Sequence, residues 1–123
     1  MDKALVSKFL LPATHKTILK DDRFRPEFTR GQTIFMKRLE SYSAVSHLGL
    51  HVLRLVDGGI LIHRLALHGK IKGALKLYHH HRGNDYRIIP VALVTDIYVV
   101  LANFEKGVDF SRYAGLIEHV TAI

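Results

Sequence analysis

Three β-rich runs separated only by short turns leave the chain few topologies near its C-terminal end. Residues 75–82 alternate for part of their length, the cluster Gly83-Asn84-Asp85 makes a turn, and residues 86–93 are rich in β-formers. Thr95-Asp96 makes the next break, and residues 97–104, with Tyr98, Val99 and Val100, form the third run. Parallel neighbours need a crossover of a dozen or more residues, so runs this close predict antiparallel hairpins, that is, a β-meander. Pro90 cannot donate to a ladder and predicts a bulge or an unpaired position in the second strand. Asp109 is placed as the N-cap of a last helix whose apolar stripe is Phe110, Ala114, Ile117 and Val120.

The N-terminal half carries weaker signals. Residues 5–11 are apolar, closed by Pro12, and are expected to form a first strand, with a short helix over 13–20. Asp21-Asp22-Arg23 and Pro26 mark a loop. Residues 27–42 are expected to be helical, with Phe28, Phe35 and Leu39 on one face and Arg30, Lys37 and Arg38 outside. A second helix, capped by Ser43 or Ser46, is expected to run to Val56, with Val45, Leu48, Val52 and Leu55 at helical spacing and Asp57-Gly58-Gly59 as its stop. The apolar segment 60–67 fits helix or strand equally. The expected fold class is therefore α+β: an N-terminal strand and helices packed on a C-terminal antiparallel meander, closed by a short helix, as one domain over residues 1–123.

Charge narrows the partners. Eighteen Lys and Arg stand against eleven Asp and Glu, a formal charge of +7, which draws in anionic partners such as nucleic acid, an acidic protein or an anionic membrane. The chain has no cysteine, which excludes disulfides and thiolate zinc sites. No apolar run reaches the ~18 residues of a membrane-spanning helix, and Met1-Asp2-Lys3-Ala4-Leu5 does not read as a secretion signal. A cytoplasmic protein, with no membrane contact, is the expectation.

The segment from Leu75 to Val91, with Gly83-Asn84-Asp85-Tyr86-Arg87-Ile88-Ile89 at its centre, resembles the central hairpin of the RelE/ParE toxin superfamily, where a strand and a polar turn precede a Gly-x-Tyr-Arg-hydrophobic strand. Residues 97–104 are similar to that family's third meander strand. Glu105-Lys106-Gly107 lies where it carries a basic cluster, and Ser111-Arg112-Tyr113-Ala114 is similar to its terminal Ser-x-x-Tyr helix. The likeness covers about residues 70–117. It implies the toxin of a toxin–antitoxin pair, a metal-independent endoribonuclease that cuts mRNA at the ribosome. The partners it implies are mRNA, the ribosome and an acidic antitoxin, with no cofactor. The alternatives are a gyrase inhibitor of the ParE type and a basic nucleic-acid-binding module without catalysis.

Cleavage by 2′-hydroxyl attack needs a base, cations for the developing phosphorane charge, and an acid for the leaving oxygen. On the first meander strand Lys76, Tyr78, His80 and Arg82 share one face, and Leu75 and Leu77 should turn the other into the core. His80 titrates near neutrality and is the preferred acid or base. The resemblance makes Arg87 a phosphate ligand and gives Tyr113 a stacking or proton-transfer role. The expected catalytic set is thus His80, Arg87, Tyr113 and Lys76, with Arg82, Lys106, Arg112 and Tyr78 holding RNA. Tyr86 is expected in the core. The run His79-His80-His81 and the pair His47 and His51 invite a metal, but no carboxylate is fixed beside them, and no metal site is assigned.

Overall fold

The computed structural model describes residues 3–25, 27–78 and 84–123. It overturns the expected fold class. The chain is built on an eight-stranded mixed sheet with two short helices, not on N-terminal helices packed against a meander. The helices are α1 (Lys3–Leu10) and α2 (Ala114–Ile117). The strands are β1 (His15–Ile18), β2 (Thr33–Arg38), β3 (Gly49–Leu55), β4 (Ile60–Leu67), β5 (Ala74–Tyr78), β6 (Tyr86–Pro90), β7 (Val94–Phe104) and β8 (Thr121–Ala122). Hydrogen-bonded neighbours follow the order β6-β5-β4-β3-β7-β2-β1-β8. None of the helices among the described residues is long and apolar enough to cross a membrane.

The errors of the sequence reading have physical causes. The apolar run expected as a first strand is α1, because Val6 and Leu10, four residues apart, both go into the core while Leu5 and Phe9 stay exposed. Part of the helix expected over 13–20 is β1. The long helix expected over 27–42 is a turn followed by β2. Gly31 sits at φ +93, which stops a helix, and Thr33, Ile34, Phe35 and Met36 are all buried. A strand covered on both faces shows no alternation to read. The same cause hides β3, where His51, Val52 and Leu53 are consecutively and fully buried. The three β-rich runs are strands β5, β6 and β7, but they do not form the expected meander: β6 pairs with β5 alone, β7 pairs with β3, and the segment that fits helix or strand is β4. Pro90 ends β6 and leads into a 3-10 turn over Val91–Leu93.

The chain divides into two compact units. The first comprises residues 1–37 and 100–123. In it β1 pairs antiparallel with β2 and parallel with β8. Its core gathers Val6, Leu10, Ala13, Phe35, Phe104 and Tyr113. Phe35, Phe104 and Phe110 meet edge to face at 5.3–5.6 Å between ring centroids, the arrangement their quadrupoles favour. Asp109 does cap the final helical segment, as expected: its carboxylate accepts from the Ser111 amide at 3.0 Å. That segment begins as a 3-10 turn over Phe110–Tyr113 before it becomes α2.

The second unit comprises residues 38–99. It is an antiparallel array in which β3 pairs with β4, β4 with β5 and β5 with β6, while β3 also pairs with the first part of β7. One face of this array carries Leu53, Leu65, Leu75, Leu77 and Ile97, covered by Leu39, Tyr42 and Val45 from the segment after β2. This apolar layer decides which way every other side chain on β4, β5 and β6 points, because cross-strand partners share a face.

Candidate functional site

The register of the β5–β6 hairpin sets the site. Tyr78 pairs with Tyr86, Lys76 with Ile88, and Ala74 with Pro90, so these six residues lie on one face. Across the other edge of β5, Arg64 of β4 pairs with Tyr78, and Ala66 pairs with Lys76. Arg64, Tyr78 and Tyr86 therefore form one row across three strands, with Lys76 one step along. The leucines Leu75 and Leu77 turn to the opposite, buried face, as the alternation predicted.

Within this row the contacts are direct. The Tyr78 and Tyr86 rings lie 5.3 Å apart at a 46° tilt, within the range of favourable aromatic pairs. The Lys76 ammonium sits 4.8 Å from the centre of the Tyr86 ring, a cation–π distance. Arg64 anchors one guanidinium nitrogen to the Leu48 carbonyl at 3.2 Å. The opposite face contributes His63, whose Nδ1 donates to the Tyr78 carbonyl at 3.1 Å and holds β5 in place behind the row. Tyr86 and Ile88 are each 47% exposed, so the end of the row is open to solvent.

Positive charge is concentrated in the stretch of chain that runs from β4 to β6, with Arg64, Lys76 and Arg87 on the strands themselves. Residues 60–90 carry Arg64, Lys70, Lys72, Lys76, Arg82 and Arg87 against the single acid Asp85, a net +5 of the chain's +7. Of the other acids in the second unit, Asp96 pairs with Arg38 at 2.9 Å, Asp57 accepts from the Gly59 amide at 2.8 Å, and Glu40 is exposed. Two clefts of similar size lie in this unit, one of about 310 Å³ beside Arg38, Glu40, Tyr42 and Asp96 and one of about 300 Å³ beside His68, Lys70 and Lys72. The first sets two acids against one cation and has no pull on an anion; the second carries two lysines.

Of the expected site residues described in the second unit, Lys76 and Arg87 stand on opposite faces of the β5–β6 hairpin. Lys76 and Tyr78 share the face of Tyr86, but Arg87 pairs with Leu77 and belongs to the other face of the hairpin, exposed because β6 ends the strand order. His80 and Arg82 lie outside the described residues, as do His79 and His81. Lys106, Arg112 and Tyr113 belong to the first unit. Lys106 is exposed in the loop after β7, with its aliphatic stem against Gly31. Arg112 is an exposed residue of the 3-10 turn. Tyr113 is buried among Val6, Leu10 and Phe35, where it packs the core.

Three corrections concern residues outside the expected set. Tyr86, expected in the core, is exposed and joins the aromatic row. Arg64 was passed over because it sits inside an apolar run that fits helix or strand. Read as a strand, that run would have put Arg64 on the face opposite Leu65. The pair His47 and His51 is not a metal pair on a helix: His51 lies on β3, fully buried, with Nδ1 donating to the Gly49 carbonyl at 2.6 Å and Nε2 accepting from the Ser46 amide at 3.1 Å. Burial holds its imidazole below the ordinary histidine range, with the Gly49 bond opposing that shift.

In the comparisons with known proteins, no family model, no curated protein and no solved structure matches this chain.

Proposed function

We propose that this chain is a nucleic-acid-binding module that engages its ligand through the face of β4, β5 and β6 that carries Arg64, Lys76 and Tyr86 and is open to solvent along β6. The observation that carries the reading is the row Arg64, Tyr78, Tyr86 with Lys76 lying over the last ring. Phosphates supply the charge such cations attract, and bases supply flat rings that match exposed tyrosines. An acidic protein would satisfy the cations alone and leave the aromatic pair without a purpose.

Binding is favoured over cleavage by the hairpin register. A phosphorane needs cations and an acid–base pair converging on one phosphate, and the register sends Lys76 and Arg87 to opposite faces of the hairpin. The fold that the toxin resemblance implied is also not the fold of the chain.

The test is fluorescence anisotropy with labelled oligonucleotides over a range of salt. Each phosphate contact adds about 0.7–0.9 to the steepness of log K against log salt. Lys76→Ala and Arg64→Ala should each lower affinity and reduce that slope by about one. The proposal fails if the chain shows no salt-dependent binding, or if both substitutions leave the slope where it was. The same labelled RNA, run on a gel after incubation, separates the two chemistries: it should remain intact.

A further inference from the structure

Resting on that reading, we infer that the ligand is single-stranded, with one base stacked on the outward side of the Tyr86 ring and neighbouring phosphates held by Lys76 and Arg64. The ring's surroundings argue for this. Both of its partners, Tyr78 and the Lys76 ammonium, come from β5, so they occupy the side facing the rest of the sheet. β6 stands at the end of the strand order, and Tyr86 keeps nearly half its surface exposed. Tyr86 thus meets its β5 partners on the sheet side and keeps nearly half of its surface for solvent.

Such a ring is already positioned. Contacts with Tyr78 and Lys76 restrict its rotamers before any ligand arrives, which lowers the ordering cost of stacking. Ile88 lies two residues along the same face, about 7 Å away by strand geometry, and is as exposed as Tyr86. It offers an apolar contact to the next base or sugar. The cations flank this pair: Lys76 directly across from Ile88, and Arg64 at the far end of the tyrosine row. Arg64 gives one nitrogen to the Leu48 carbonyl, and a guanidinium has five N–H donors in all. Asp85, the only acid of the segment, immediately precedes Tyr86 and disfavours phosphate on that side, so the backbone runs along the β4–β5 side of the ring.

A duplex makes less use of this surface. Its bases are stacked on one another and reached only by their edges through the grooves, which leaves no free base face for the Tyr86 ring. A single strand presents both phosphates and free base faces at once. Either sugar satisfies the geometry; oligo-U against oligo-dU tells RNA from DNA by its 2′-hydroxyl.

The experiment uses the full chain, a dT or U oligomer, and a duplex of equal length. The single strand should bind more tightly, and Tyr86→Leu should bring the ratio of single-strand to duplex affinity toward one, a loss of between about fivefold and about a hundredfold. The chain has no tryptophan, so Tyr86→Trp provides one indole at the stacking position, and its fluorescence should be quenched as the oligomer saturates. Equal affinity for duplex and single strand would overturn the inference while leaving the binding proposal standing. So would saturable, salt-dependent binding with no quench and no effect of Tyr86→Leu, whereas polyglutamate binding as tightly as the oligomer would bring down the binding proposal as well. If neither nucleic acid binds at low salt, the binding proposal falls and this inference with it.

Discussion

His51 makes the second unit acid-sensitive, and the size of the effect follows from its surroundings. The imidazole is fully buried on β3, directly across from His63 on β4 and Val99 on β7. The carbonyl of Gly49 accepts only, and the amide of Ser46 donates only, so the ring is neutral with its proton on Nδ1. Protonation of Nε2 would remove the acceptor that Ser46 needs and place a charge in the core. Burial accordingly depresses the folded-state pKa below the unfolded value near 6.5. The sign follows: between the two pKa values the unfolded chain binds a proton that the folded chain does not. The contribution is therefore whole above about pH 6.5 and declines as pH falls, by about 1.4 kcal/mol per unit, until His51 titrates in the folded protein. Against a total stability of about 5–15 kcal/mol for an ordinary domain, that is easily measured.

The assay is urea unfolding followed by circular dichroism, from about pH 7.5 down to about pH 5, on the native chain, His51→Phe and His51→Gln. His51→Phe leaves the Ser46 amide and the Gly49 carbonyl without partners and should cost about 1–3 kcal/mol for each at neutral pH. Its stability should also depend less on pH than that of the native chain. His51→Gln keeps one donor and one acceptor but no titrating group, so it should share the reduced pH dependence at a smaller cost. The other histidines are common to all three proteins, so the difference in slope reports the substitution at His51. Identical slopes in the native chain and both variants would refute the reasoning.

Other consequences are open to equally direct measurement. Tyr113→Ala should destabilise the chain by about 3–5 kcal/mol, because it empties a packed site in the first unit's core; Tyr113→Phe should keep both stability and nucleic-acid binding. A variant Tyr113→Phe that stayed folded but lost binding would restore a functional role for that hydroxyl. Gly31 and Gly58 both hold left-handed backbone, at φ +93 and +89, but an added Cβ would lie 2.9 Å from the Lys106 side chain at Gly31 and meet nothing at Gly58. Since a lysine stem yields easily, alanine at either position should cost a similar 1–2 kcal/mol or so in thermal unfolding. A much larger loss at Gly31 would mean that the Lys106 contact is rigid.

β5 was legible as a strand because two of its leucines face the core between partly exposed residues; the meander was not, since β7 joins β3 and not β6. Leu75 and Leu77 are buried while Lys76 and Tyr78 are only partly so, which is the alternation a sequence displays. β2 and β3 are buried on both faces, and without a polar face their apolar residues fell at helical spacing by coincidence: Val52 and Leu55 were assigned to one helical side, yet belong to a strand. α1 shows the converse. A seven-residue apolar run has no period long enough to separate helix from strand, and only the burial of Val6 and Leu10 together distinguishes them.

The candidate site turned on a different quantity, the count of residues between two paired strands. Alternation along β5 correctly put Lys76 and Tyr78 on the face away from the leucines. It said nothing about β6, whose facing depends on which residue of that strand meets Tyr78. The partner is Tyr86, which turns Tyr86 and Ile88 toward the lysine and sends Arg87 to the leucine side. A turn longer or shorter by one residue would exchange them, and Arg87 would then stand beside Lys76 as the nuclease reading required. This makes the facing of β6 directly measurable. In paramagnetic relaxation experiments a spin label attached through Ile88→Cys should broaden the Lys76 side-chain signals strongly, and one attached through Arg87→Cys should broaden them less. The reverse order would place Arg87 with Lys76 and undo the argument for binding over cleavage.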